Sequence, residues 1–134
     1  MLGNGSNYGT CMDVWDKIKE TGELKNPYLA SNINLARYYA EESSVELMGG
    51  YPVVLKVVIP DVEKLRYDRN SMDEPVMVSE DSVSYILDKV SQSYPEWEDN
   101  GMISVSSYYW ELSWNIVGSV RYEGSIPIKF IEEV

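Results

Sequence analysis

The chain contains no histidine and a single cysteine, Cys11. Without histidine there is no Ser-His-Asp triad, no Cys-His nucleophilic pair and no ordinary zinc site. One cysteine cannot close an intramolecular disulfide, which excludes a disulfide scaffold and fits a reducing compartment. Cys11 is therefore expected as a small buried residue at a helix start rather than as a nucleophile. Long apolar runs are missing too. No stretch approaches the ~20 apolar residues of a membrane span, and the opening Met-Leu-Gly-Asn-Gly-Ser has neither a basic region nor an apolar core. Positive charge is scarce: 11 Lys plus Arg face 22 Asp plus Glu, a formal charge of −11. The few cations are scattered, so direct nucleic-acid binding is not expected, while an acidic surface suits solubility or docking on a basic partner.

The 134 residues are enough for one domain that buries roughly two-thirds of its unfolded surface. Residues 1–7, rich in Gly, Asn and Ser, read as a flexible lead, and residues 8–134 as the folded domain. From Asp13, the positions Val14, Trp15 and Ile18 predict a helix of about two turns stopped at Gly22, followed by a polar loop over residues 23–26.

The stretch Pro27-Tyr-Leu-Ala-Ser-Asn-Ile-Asn-Leu-Ala-Arg-Tyr-Tyr-Ala40 carries most of the functional information. Tyr28 to Ala30 is a short apolar strand, and Ser31 or Asn32 supplies the cap for a helix. Ile33, Ala36, Tyr39 and Ala40 then share one face, with Arg37 and Glu41 left to solvent. Tyr28 on the strand and Tyr39 about two turns into the helix can flank one pocket. Core packing with a wet hydroxyl is the competing reading for both rings.

Gly49-Gly50 breaks the chain before Val53 to Ile59, the strongest strand, expected to be buried on both faces. Residues 61–80 are polar and predict a surface-exposed excursion that is either mobile or part of a partner-facing rim. Val83, Ile86, Leu87 and Val90 predict a third helix. Met102 to Val105, Ile116 to Tyr122 and Ile128 to Ile131 predict strands, with a polar aromatic loop over 106–114. Helices placed before terminal strands argue for α+β.

The order Tyr8-Gly-Thr10, helix, Tyr28-Leu-Ala-Ser31, Ala36-Arg-Tyr-Tyr-Ala40 and Gly124-Ser-Ile-Pro127 resembles the ADP-ribosyltransferase-like fold over about residues 6–131. The resemblance implies a mixed or antiparallel split β-sheet core with about three short helices. It also implies an NAD-binding mono-ADP-ribosyltransferase that uses no metal and acts on a protein or nucleic acid. By that likeness Gly9 contacts the nicotinamide amide, Thr10 the adenosine side, and Tyr28 and Tyr39 the nicotinamide ring. Ser31 matches a serine or threonine common after the first tyrosine. Tyr8 stands where the family usually has His or Arg and brings no positive charge.

Breaking the glycosidic bond of NAD passes through an oxocarbenium-like state that a carboxylate stabilises. The resemblance places the catalytic glutamate in or just before the terminal strand, which makes Glu111, among aromatics that would exclude water, the first choice and Glu123, in the Tyr-Glu-Gly-Ser-Ile-Pro turn, the second. The expected partners are NAD and a macromolecular target, a basic host protein or a nucleic-acid-processing complex. No membrane is involved, and the expected setting is the cytoplasm of a bacterial or phage-infected host cell. The alternative is a catalytically inactive acidic interaction protein, a phage-type inhibitor or nucleic-acid mimic, on the same fold.

Overall fold

A computed structural model of the chain describes residues 5–68, 70–71 and 110–134. Strand β1 (Gly5–Cys11) runs into helix α1 (Met12–Thr21), which Gly22 ends in the left-handed conformation at φ 82°. Glycine is suited to that position because it has no Cβ penalty there. Two short strands follow, β2 (Glu23–Lys25) and β3 (Tyr28–Ala30). Helix α2 (Ile33–Leu47) is capped by Asn32, whose Oδ1 accepts from the Asn34 N–H at 2.7 Å. Strand β4 (Pro52–Val58), a short turn of 3-10 helix (Val62–Lys64) and β5 (Leu65–Arg66) come next. The last described part holds α3 (Trp110–Ile116), β6 (Ser119–Tyr122), β7 (Ser125–Pro127), a second 3-10 turn (Ile128–Phe130) and β8 (Ile131–Glu133).

The strands form a six-stranded sheet in the order β5-β6-β3-β1-β4-β8 and a separate two-stranded sheet of β2 with β7. Every described pair is antiparallel. The protein is thus α+β, with an antiparallel sheet and, among the described residues, three α-helices. No helix among the described residues is long and apolar enough to cross a membrane.

The pleat of β1 sorts its residues onto two faces. Ser6, Tyr8 and Thr10 lie opposite Val57, Leu55 and Val53, and that face closes over the main core with Trp15 and Ile18 of α1 and Leu29, Leu65, Val120, Tyr122 and Ile126. Asn7, Gly9 and Cys11 face the other way, where α2 packs and Ala30, Leu35 and Ala36 form a smaller cluster with Tyr39 and Val54.

Several local expectations are corrected by non-local pairing. Gly5 to Asn7 are part of β1, paired with Val58 to Lys56, so the strand starts inside the expected flexible lead. Glu23 to Lys25 pair with Pro127 to Ser125 and are a strand rather than a loop. β4 alternates buried and exposed residues because α2 covers only part of its second face; Lys56 and Val58 are exposed. Trp110 to Ile116 are helical where a loop and then the start of a strand are predicted, and Ile128 to Phe130 form a 3-10 turn before β8. The helix expected at Val83 to Val90 and the strand at Met102 to Val105 lie outside the described residues.

Candidate functional site

On the α2 face of the sheet lies a cavity of about 300 Å³, at the small end of the range for ligand sites. Its floor is built by β1, β3 and β6, through Asn7, Gly9, Tyr28, Ala30 and Ser119, and one wall by Ala36 and Tyr39 of α2. The other wall is the segment after β5, with Asp68, Asn70 and Ser71. Register explains the convergence: Asn7 is opposite Ala30, and Ala30 is opposite Ser119, so three strands present these residues side by side.

Tyr28 and Tyr39 do line one cavity. Their hydroxyls are both tied to the same turn: Asn70 Nδ2 donates to Tyr28 Oη at 3.5 Å, and Tyr39 Oη lies 3.4 Å from Ser71 Oγ. Both distances are long, so these contacts orient the rings more than they hold them. Tyr39 is also buttressed from outside by Tyr38, with ring centroids 5.6 Å apart in an edge-on arrangement.

Asp68 is the polar centre of the site and is 1% exposed. Its Oδ1 accepts from the Ser71 N–H at 3.1 Å, and its Oδ2 accepts from Ser71 Oγ at 2.8 Å and Ser119 Oγ at 2.6 Å. Its own N–H donates to Ser113 Oγ at 3.0 Å, and Ser113 in turn donates to the Trp110 carbonyl at 3.2 Å. The first turn of α3 therefore braces the cavity wall from behind. This corrects the expectation that the whole polar stretch after residue 60 is surface: Tyr67, Asp68 and Ser71 are buried.

The remaining expected site residues are spread out. Tyr8 and Leu29 contribute to the cavity through main chain, because alternation sends the Tyr8 ring to the opposite face, against the main core. There burial pushes the Tyr8 phenol above its ordinary 10.0, and a hydrogen bond with Thr10 pulls the other way. Thr10 is buried on that same face, opposite Val53, and does not line the cavity. Gly9 does line it, but the need for glycine comes from α2: a Cβ here would stand 1.9 Å from the Ala36 carbonyl oxygen and 2.8 Å from Ala40 N. Ser31 is exposed; its N–H and Oγ both donate to the Gly118 carbonyl, at 2.7 and 3.2 Å, and clip the β3–α2 turn to the start of β6.

Neither expected carboxylate lines the cavity. Glu111 is exposed on α3, while Trp110 and Trp114 of the same helix pack against the main core instead of around it. Glu123 is half in solvent and accepts from Arg66 Nε at 2.8 Å, an ion pair that closes the β6–β7 turn onto β5. Sequence reasoning missed Asp68, Ser71 and Ser119. A signal was present in Asp68-Arg-Asn-Ser71, since an Asp whose side chain accepts from the N–H three residues on is a helix N-cap pattern.

Among the described residues no cluster of three or more Cys, Asp or Glu could hold a metal ion. Comparison of the chain with protein-family models, with curated proteins and with solved structures finds no match.

Proposed function

We propose that the cavity between β3, α2 and the Asp68 turn binds the nicotinamide end of NAD, and that the protein transfers ADP-ribose to a macromolecule. The observation that carries this reading is the convergence of Tyr28 and Tyr39 with a buried carboxylate in one cavity. The cavity suits one flat ring and its sugar rather than a whole dinucleotide. The pyrophosphate would then lie outside, and Arg121, cross-strand from Tyr28 on the same face of the sheet, is the cation at hand. When bound, NAD supplies the labile glycosidic bond.

The protein's residues supply the rest. Tyr28 and Tyr39 offer ring surface for the departing nicotinamide, and Asn7 and Asn70, whose Nδ2 groups donate to the Ala30 carbonyl and the Tyr28 hydroxyl, offer their side-chain oxygens to its amide. Asp68, fixed by its hydrogen bonds from Ser71 and Ser119, is the preorganised negative charge beside the sugar. In this reading the stabilising role belongs to Asp68, because Glu111 and Glu123 do not line the cavity.

The test is incubation with labelled NAD and host lysate. Transfer of label is expected, with at least a hundredfold loss in Asp68→Asn, about the effect of removing one preorganised electrostatic partner. Glu111→Gln and Glu123→Gln are expected to stay within a few-fold of the parent. A Glu111→Gln protein that keeps its fold and loses transfer would return the role to Glu111. No transfer, and no heat on titration with millimolar NAD, would reject the enzyme and leave an acidic interaction protein on the same scaffold.

A further inference from the structure

Three locally unfavourable features meet at the C-terminal end of α2. The first is exposed apolar surface: Val45, Leu47, Met48 and Tyr51, within seven positions of sequence, are between 61% and 88% exposed. Single exposed apolar residues are ordinary, whereas a cluster of them marks a contact site. The second is backbone strain. Met48 ends the helix in the left-handed conformation at φ 49°, where glycine is preferred, although glycines occupy the next two positions. The third is charge. A helix C-terminus is the negative end of the helix dipole and favours Lys or Arg, yet the last turn of α2 has no basic residue and holds Glu46. From Tyr38 to Tyr51 the sequence has three glutamates, Glu41, Glu42 and Glu46, and no Lys or Arg, and all three glutamates are exposed. Arg37, just before, turns back to Asn34 Oδ1 at 3.5 Å.

This surface is held in shape. The Asp13 N–H donates to the Gly49 carbonyl and the Met12 N–H to the Tyr51 carbonyl, both at 2.9 Å, and Ser44 Oγ donates to the Gly50 carbonyl. Gly49 is buried so closely against Cys11 that a Cβ would stand 2.6 Å from its Sγ. The apolar side chains therefore project from a fixed backbone, which lowers the ordering entropy lost when they are covered. Tyr38, Glu41, Glu42, Val45 and Met48 follow i, i+3, i+4, i+7 and i+10, one stripe about 15 Å long. A stripe in which apolar and acidic residues alternate is complementary to a second helix with the same spacing and the opposite charge.

We propose that the end of α2 and the turn into β4 form a docking surface for a basic amphipathic helix of a partner protein. Its apolar side chains cover Val45, Met48 and Tyr51, and its Lys or Arg residues meet Glu41, Glu42, Glu46 and the negative end of the helix dipole. The exposed methionine gives the surface an adaptable anchor, and the tyrosine a rigid one. The proposal uses none of the cavity residues and goes beyond the NAD reading, standing whether that reading holds or fails.

The test is fluorescence anisotropy with a labelled Leu/Lys peptide of about five helical turns, and with a Leu/Glu peptide of identical pattern. The Leu/Lys peptide is expected to bind at micromolar concentration and the Leu/Glu peptide at least about tenfold more weakly. Because the whole chain carries a formal charge of −11, attraction alone is separated from docking by a variant. Met48→Ser combined with Tyr51→Ser should weaken the Leu/Lys peptide at least about tenfold while circular dichroism stays unchanged. Glu42→Lys combined with Glu46→Lys should turn the preference toward the Leu/Glu peptide, and amide shifts in the parent should centre on residues 45–51. Equal binding of the Leu/Lys peptide by the parent and the folded serine variant overturns the proposal, as does the absence of binding. A dimer in sedimentation that the serine variant abolishes gives the surface to a second copy of the chain instead. Resistance of Met48 to peroxide oxidation in the isolated protein, showing it covered from within, also overturns the proposal.

Discussion

Gly9 carries two duties that pull on one atom position. It lines the cavity, and it lets α2 approach β1 so closely that any side chain would collide with backbone rather than with a movable side chain. Gly9→Ala must push the helix outward, and overpacking of that kind costs about 1–3 kcal/mol. Urea denaturation should show the loss as a lower midpoint with an unchanged slope. If the midpoint is unmoved, α2 does not sit on β1 as described. The same collision explains why the residue's role is hard to read from sequence. A glycine before Thr10 reads as a turn, and only the packed helix shows that the missing Cβ is a matter of space. Asp68 is obscure for a related reason. It lies in a polar segment, and its burial depends on Ser119, which is 51 positions away in the chain.

Elements whose signals are local are legible from sequence. The left-handed Gly22 stop, the Asn32 cap and the helical spacing after it all stand where the residues themselves dictate. β2 and β7 have only three residues each and exist because Leu24 meets Ile126 across the sheet, a partnership no short window contains. α3 was hidden by its aromatic and serine content, which fits a loop equally well until Ser113 is seen bonding back to Trp110. The element of most consequence for the site is α2, since its first two turns supply Ala36 and Tyr39. Asn32→Ala removes its cap hydrogen bond and should cost about 1 kcal/mol, a fall of a few degrees in Tm. Any ligand of the cavity should raise the Tm of this variant and of the parent alike. A melting temperature equal to the parent's would mean that the helix start is held by something other than its cap.

At the scale of the whole molecule, the charge of −11 sets the behaviour in salt. The three described ion pairs each have at least one well-exposed partner and contribute little. Repulsion among the remaining carboxylates should dominate, so raising salt from about 10 to 150 mM, which shortens the Debye length from about 30 to 8 Å, should raise the Tm. A Tm that falls over this range would show that attractive pairs outweigh the net charge. The strand order also says when the cavity comes into being. β1 and β4 sit side by side and can pair once residue 58 has left the ribosome, and Tyr28, Tyr39 and the future Asp68 turn can assemble around them soon after. Ser119 and β6, which close the floor and hold Asp68 in place, come out only later, Ser119 being 51 positions after Asp68. A nascent chain stalled before that point has the rings but not the fixed carboxylate, so whatever reactivity the site has is withheld until β6 has been made and has paired with β3.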